Sequence, residues 1–341
     1  MAEQHSLVAD LILEGGGVKG NALAGAAAAF QDAGFRFNRL AGTSVGSMAA
    51  AGLASGISAR AMHERMLAID YTRFRDPTRL EGAHLGRIGS ALSEMFTEGR
   101  YRGDALHHFV AGWLQEAGVH TFGDIRLDDP GLDPNTPDDQ RYRVVMVASD
   151  VTRQLMVRIP WDLRRVYGVD PAAFPVADAV RISTAIPFFY RPVVVRSALT
   201  AQDSYLVDGG LTTTFPVSIF DRTDGHPPRF PTFRIGLATA RPPNERATEF
   251  SGPRGFLNAV VQTALHGRVN AERDEPAIAT HTIAIDTSYV GTTDFTIDVP
   301  TRQRLFDGGY AAAQKFLDTF DFTPYPQLHA AGRGSASVAA P

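Results

Sequence analysis

Residues 11–20 read LILEGGGVKG, and residues 38–54 read NRLAGTSVGSMAAAGLA. Each is a run that breaks at glycine and continues as an Ala/Gly-rich stretch. VADLIL at 8–13 has the unbroken apolar character of a buried strand, and NALAGAAAAFQDAGF at 21–35 reads as a helix closed by Gly34. FNRLAG at 37–42 is a second short strand, and SVGSMAAAGLASG at 44–56 a second small-sided helix stopped near Gly56. Two successive strand–loop–helix units predict an α/β layer fold whose first strands are parallel. Helices with such small side chains can lie very close to a sheet.

Downstream, 59–122 reads as mostly helical and amphipathic (ARAMHERMLAI, IGSALSEMF, DALHHFVAGWLQEAG), and 128–140 as a turn-rich loop. RYRVVMVASDV is a strong strand with QLMVRIP as its antiparallel neighbour. DAVRISTAIPFFYRPVVV starts as a helix, meets Pro187 and leaves as a strand; SYLVDGGL is a further strand ending in a glycine turn. TFRIGLAT and HTIAIDT read as strands around a helix at about 255–273, and a last helix spans about 301–320. The tail from Ala330 is low-complexity and expected to be disordered. The simplest parse is one domain over 8–321, with 8–215 carrying the motifs and 230–321 a C-terminal extension of the same sheet.

Bulk composition narrows the function classes. Hydrophobic content of 44% and charged content of 21% are those of an ordinary globular protein. A net charge of −4 with no basic run gives no footprint for nucleic acid. Zero cysteines exclude thiol nucleophiles, disulfides and Cys-based zinc sites. No signal-peptide pattern and no run of about 20 apolar residues is present, so the expectation is a cytoplasmic protein whose membrane contact is peripheral. Of 33 basic residues only Lys19 and Lys315 are lysines, a bias of the whole chain that nonetheless places one lysine inside the glycine loop.

Gly15, Gly17 and Gly20 satisfy G-x-G-x-x-G, but the dinucleotide reading needs an acid about 20 positions on. That region is FNRLAGTS, with no carboxylate, and Gly20 is followed by Asn21-Ala22 rather than the Lys-Ser/Thr of a Walker loop. Two readings are left: a turn that merely packs helix on strand, and an oxyanion hole. In the second, successive glycines aim several N–H groups at one spot and the following helix adds its positive dipole end.

An oxyanion hole needs a nucleophile. Gly42-Thr43-Ser44-Val45-Gly46 is G-x-S-x-G at a strand-to-helix turn, where small residues two before and two after the serine relieve the crowding of a sharp elbow. For a base, His226, His266, His281 and His329 follow at positions better suited to surface or packing roles. Asp208, ending SYLVDGG before two glycines, is the stronger candidate, although an isolated Asp-Gly-Gly is more often a plain turn.

Together EGGGVKG at 14–20, GTSVG at 42–46 and DGG at 208–210 resemble the motifs of the patatin-like phospholipase family, in its bacterial branch. RISTAIPFFYRPV at 181–193, VASDVTRQLMV at 147–157 and the C-terminal TDFTID and GYAAAQKFL add to the resemblance, which covers about 8–321. Glu14 departs from the Asp common there and is expected not to touch the chemistry.

The resemblance implies a three-layer α/β/α fold around a mostly parallel sheet, and a Ser44–Asp208 dyad without a catalytic histidine. It also implies an oxyanion hole from Gly15, Gly16 and Gly17, no cofactor and no metal. The implied reaction is two-step acyl transfer on a lipid or phospholipid ester of the phospholipase A or lysophospholipase type. Partial burial is expected to raise the pKa of Asp208 toward its task. Ile186–Tyr190 could line an acyl channel, meet a lipid surface or serve as core. Lys19 is expected to have a structural role ahead of a headgroup-steering one. A carboxylesterase or thioesterase of the same dyad type, and an inactive lipid-binding protein on this fold, are the alternatives.

Overall fold

The computed structural model describes residues 7–77, 99–212, 217–238, 259–260, 263 and 279–325. Its centre is one eight-stranded sheet. The strands are β1 (Leu7–Leu13), β2 (Phe35–Thr43), β3 (Val144–Asp150), β4 (Leu155–Ile159), β5 (Val193–Arg196), β6 (Asp203–Asp208), β7 (Thr232–Ala238) and β8 (Thr282–Asp286). Their order is β5-β6-β3-β2-β1-β7-β8, with β4 on β3 as a branch. Pairings β1–β2, β2–β3, β1–β7 and β7–β8 are parallel, whereas β3–β4, β3–β6 and β5–β6 are antiparallel. The apolar runs read as buried strands occupy the middle, where both faces are covered; β3 is buried at every residue.

The two small-sided helices are α1 (Gly20–Asp32) and α2 (Val45–Ala54), with α2 buried throughout and α1 from Gly20 to Phe30. Burial all round is possible because Ala and Gly ask for little space. Where α1 crosses the last helix, α6 (Val299–Thr319), each contributes a glycine. A Cβ on Gly25 would collide with the Phe306 carbonyl, and one on Gly309 with the Ala22 carbonyl. The start of α6 is set by Asp298, which accepts from Thr301 N at 2.9 Å.

Leu11, Leu13, Leu40, Met146, Phe233 and Ile235 face the principal core beneath these helices. The opposite face carries a smaller cluster of Ile12, Ala41, Val145, Val147, Trp161 and Phe220. The fold is therefore an α/β/α arrangement with unequal outer layers.

The segment read as helical over 59–122 holds α3 (Ala59–Ala68) and α4 (Asp104–Glu116). Between them Tyr71–Phe74 form a 3-10 turn and Pro77 bridges Tyr101. The α5 helix (Val176–Ser183) stops before Pro187, as its sequence predicts. The expected helix IGSALSEMF, most of that at 255–273, and the tail from Ala330 lie outside the described residues.

Candidate active site

Strand register brings Ser44 and Asp208 together. β2 runs parallel along β3 and ends with Thr43 opposite Val147. β6 runs antiparallel to β3 and ends with Asp208 opposite Ala148. Because β4 occupies the other edge of β3 over residues 146–150, β2 and β6 must share one edge, meeting end to end. The last residue of β6 thus arrives beside the residue that follows β2, so two positions 164 apart in sequence become neighbours.

Ser44 has φ 54° and ψ −127°, a conformation that non-glycine residues rarely adopt and that stores on the order of 1–3 kcal/mol. Several contacts hold it. Ser44 N donates to Ser183 Oγ at 3.0 Å, and that hydroxyl donates to the Val147 carbonyl at 2.6 Å. The Ser44 carbonyl accepts from Ser47 N at 2.9 Å and Ser47 Oγ at 2.6 Å. A Cβ on Gly46 would strike the Leu13 carbonyl, so glycine there lets the elbow sit directly against the end of β1.

Asp208 is 1% exposed. Burial pushes its carboxyl up to about 6, against the hydrogen bonds from Ser44 and from Gly210 N that favour the carboxylate. The Gly210 bond is 2.9 Å. Ser149 Oγ donates to the Asp208 carbonyl at 3.0 Å and Asp208 N donates to the Ala185 carbonyl at 2.8 Å, which fixes the backbone. The histidines weighed from sequence are placed elsewhere: His226 is exposed and His281 lies against Tyr325 and Phe320. His266 and His329 lie outside the described residues.

The glycine loop abuts this pair. A Cβ built on Gly15 would stand 3.1 Å from Ser44 Cβ, and Gly17 has φ +59°. The flanking amides are engaged: Glu14 N donates to Ile235 O at 3.1 Å and Val18 N to Thr292 O at 3.1 Å. Among the described residues, the N–H groups of Gly15, Gly16 and Gly17 donate to no protein acceptor. Among the described residues, three adjacent amides without an acceptor thus lie beside a serine in a strained conformation.

Beside Ser44 opens a pocket with walls from Met48, Met66, Phe74, Leu106, Phe109 and Phe295. Tyr71 and Tyr190 line it as well, but their hydroxyls are engaged. Tyr71 accepts from Asn21 Nδ2 at 3.0 Å and Tyr190 donates to the Phe74 carbonyl at 3.1 Å. Of the IPFFY stretch, Ile186 and Tyr190 line the pocket and Phe189 stacks on Phe295.

Two charged residues of the loop find their places only in the fold. The Glu14 carboxylate accepts from Arg234 Nε at 2.6 Å and Leu237 N at 3.1 Å, tying the loop to β7. Lys19 is 2% exposed, and burial lowers its pKa to about 8 against the opposing pull of Asp286. It does not line the pocket. Among the described residues no group of three or more His, Asp or Glu is placed to hold a metal, and no helix is long and apolar enough to cross a membrane.

The family model described as patatin-like phospholipase matches residues 11–221, which contain the loop, the elbow and Asp208. The chain belongs to the patatin-like phospholipase family. At that level the activity is lipid hydrolysis at an ester bond. The uncharacterized protein YqhO of Bacillus subtilis is 31% identical over 319 residues, 92% of this chain and 99% of that protein. VipD from Legionella pneumophila is 16% identical, with 91% of this chain and 67% of that one covered at a TM-score of 0.49. ExoU in complex with SpcU from Pseudomonas aeruginosa is 16% identical, with 92% and 52% covered at 0.48.

Proposed function

We propose that this protein is a serine acyl hydrolase of lipid esters of the phospholipase A or lysophospholipase type. Ser44 is the nucleophile, Asp208 its base, and the N–H groups of Gly15, Gly16 and Gly17 the oxyanion hole. The observation that carries the reading is the end-to-end meeting of β2 and β6, which sets a strained serine against a buried carboxylate beside three amides lacking an acceptor.

In the first step Asp208 accepts the Ser44 proton as Oγ attacks the ester carbonyl, and the three amides take up the charge on the carbonyl oxygen. The protonated Asp208 then gives its proton to the departing alkoxide, leaving an acyl-serine. Water, deprotonated by Asp208, attacks that ester; collapse releases the fatty acid and returns the proton to Ser44. A carboxyl with pKa about 6 is matched to both halves of this cycle, being ionised at neutral pH yet more basic than an ordinary aspartate.

The pocket supports a hydrocarbon acyl chain as the recognised group, since most of its walls are apolar side chains and both tyrosines keep their hydroxyls on protein partners. Lys19 adds a buried positive charge near the loop without entering the pocket. The test is fatty-acid release from phosphatidylcholine vesicles, beside hydrolysis of a short acetate ester. Wild type should act on the vesicles, and Ser44→Ala and Asp208→Asn should be inactive on both. Activity on acetate alone favours the general esterase reading.

A further inference from the structure

The family model stops at residue 221, yet the turn that follows β8 reaches the site twice. At one point the Thr292 carbonyl accepts from Val18 N and occupies the space where a Cβ of Gly17 would stand. Three residues on, Phe295 is 7% exposed and lines the pocket. Its ring stacks on Phe189 with centroids 5.2 Å apart and planes at 13°, and its edge meets Tyr190 and Phe74. The turn is internally braced, with Asp294 N on the Gly291 carbonyl at 3.1 Å, Phe295 N on the Thr293 carbonyl at 3.0 Å, and Thr296 N on Asp294 Oδ1 at 3.1 Å. Val290 and Ile297 are buried on either side. Phe295 is therefore a fixed wall, positioned by its own turn rather than by the chain that enters the pocket.

We propose that Phe295 is the specificity-determining residue for acyl-chain length, contributed by a segment outside the catalytic motifs. The inference rests on the hydrolase reading above. A long acyl chain in this pocket lays more of its methylenes against the Phe295 wall than a short one does and gains contact area with each carbon buried. Discrimination by an apolar wall of this kind amounts to roughly tenfold or more when the wall is removed.

The experiment compares kcat/KM for p-nitrophenyl butyrate and p-nitrophenyl laurate in wild type, Phe295→Ala and Phe295→Leu, with Ser44 labelling by a small fluorophosphonate in each. The expected result is a laurate-to-butyrate ratio at least about tenfold lower in Phe295→Ala. Phe295→Leu should be intermediate, and Ser44 labelling reports whether each variant keeps a folded site. Labelled variants with an unchanged ratio overturn the proposal while leaving the hydrolase intact. A wild type that is neither labelled nor active on either ester overturns the hydrolase reading itself, and this inference with it. If Phe295→Ala does not fold, the Phe295→Leu ratio decides.

Discussion

Asp208→Asn should stabilise this protein while abolishing its activity, and the gain should depend on pH. Burial raises the Asp208 pKa from 3.8 to about 6, so the folded state holds a proton that the unfolded chain has already released between these values. Stability from this group is therefore greatest below pH 4, falls as pH rises from about 4 to about 6, and stays at its lower level above that. At 1.36 kcal/mol per pKa unit, the difference amounts to about 3 kcal/mol at pH 7 and about 1 kcal/mol at pH 4.5. Asparagine keeps the shape, can still accept from Gly210 N, and can donate its amide hydrogens to Ser44, so it removes the buried charge without opening a cavity. Urea denaturation of both proteins from pH 4.5 to 8 measures this directly, read as midpoints at unchanged m-value. The variant should gain steadily on wild type up to pH 6 and hold its lead beyond. A variant that is less stable at pH 7, or whose advantage is independent of pH, refutes the reasoning that burial of this carboxylate is uncompensated.

Two further outcomes follow from the same geometry. The pH profile of kcat/KM on a neutral ester should fall about tenfold per pH unit below about 6, as Asp208 takes up its proton, and be flat just above; a profile already flat at pH 4.5 would show that another group is the base. Replacing Ser44 by Gly should leave a protein about 1–2 kcal/mol more stable than Ser44→Ala in thermal or urea unfolding, because only glycine relieves φ 54° without strain. Equal stabilities would mean the elbow stores no strain.

What the sequence made legible was local. Gly42, Ser44 and Gly46 could be read because an elbow that presses a serine against a neighbouring strand excludes side chains at fixed offsets; the collision a Cβ would suffer at Gly46 is that exclusion in coordinates. The Ala-rich helices were legible because close packing leaves small residues as its trace, as Gly25 and Gly309 confirm. The branch of the sheet at β3 was not legible. Whether β6 lies beside β2 or beyond its end depends on pairing between distant segments, and no spacing in the chain records it. The same holds for Ser183 beneath the Ser44 amide and for Glu14 on Arg234. Thr292 and Phe295 are further from the motifs still, and no spacing in the chain sets their turn against Gly17 and the pocket. Lys19 stood out as a lysine in an arginine-writing chain, but only the fold shows that it is buried and turned from the pocket.

The most direct test of the central claim is intact-protein and peptide mass spectrometry after reaction with a fluorophosphonate. One phosphonyl group should be found on wild type, mapped to the peptide carrying Ser44. Ser44→Ala should carry none, and Asp208→Asn should react far more slowly than wild type at pH 8. A label on another residue, or undiminished labelling of Asp208→Asn, would contradict the assignment of Ser44 and Asp208 as a nucleophile and its base.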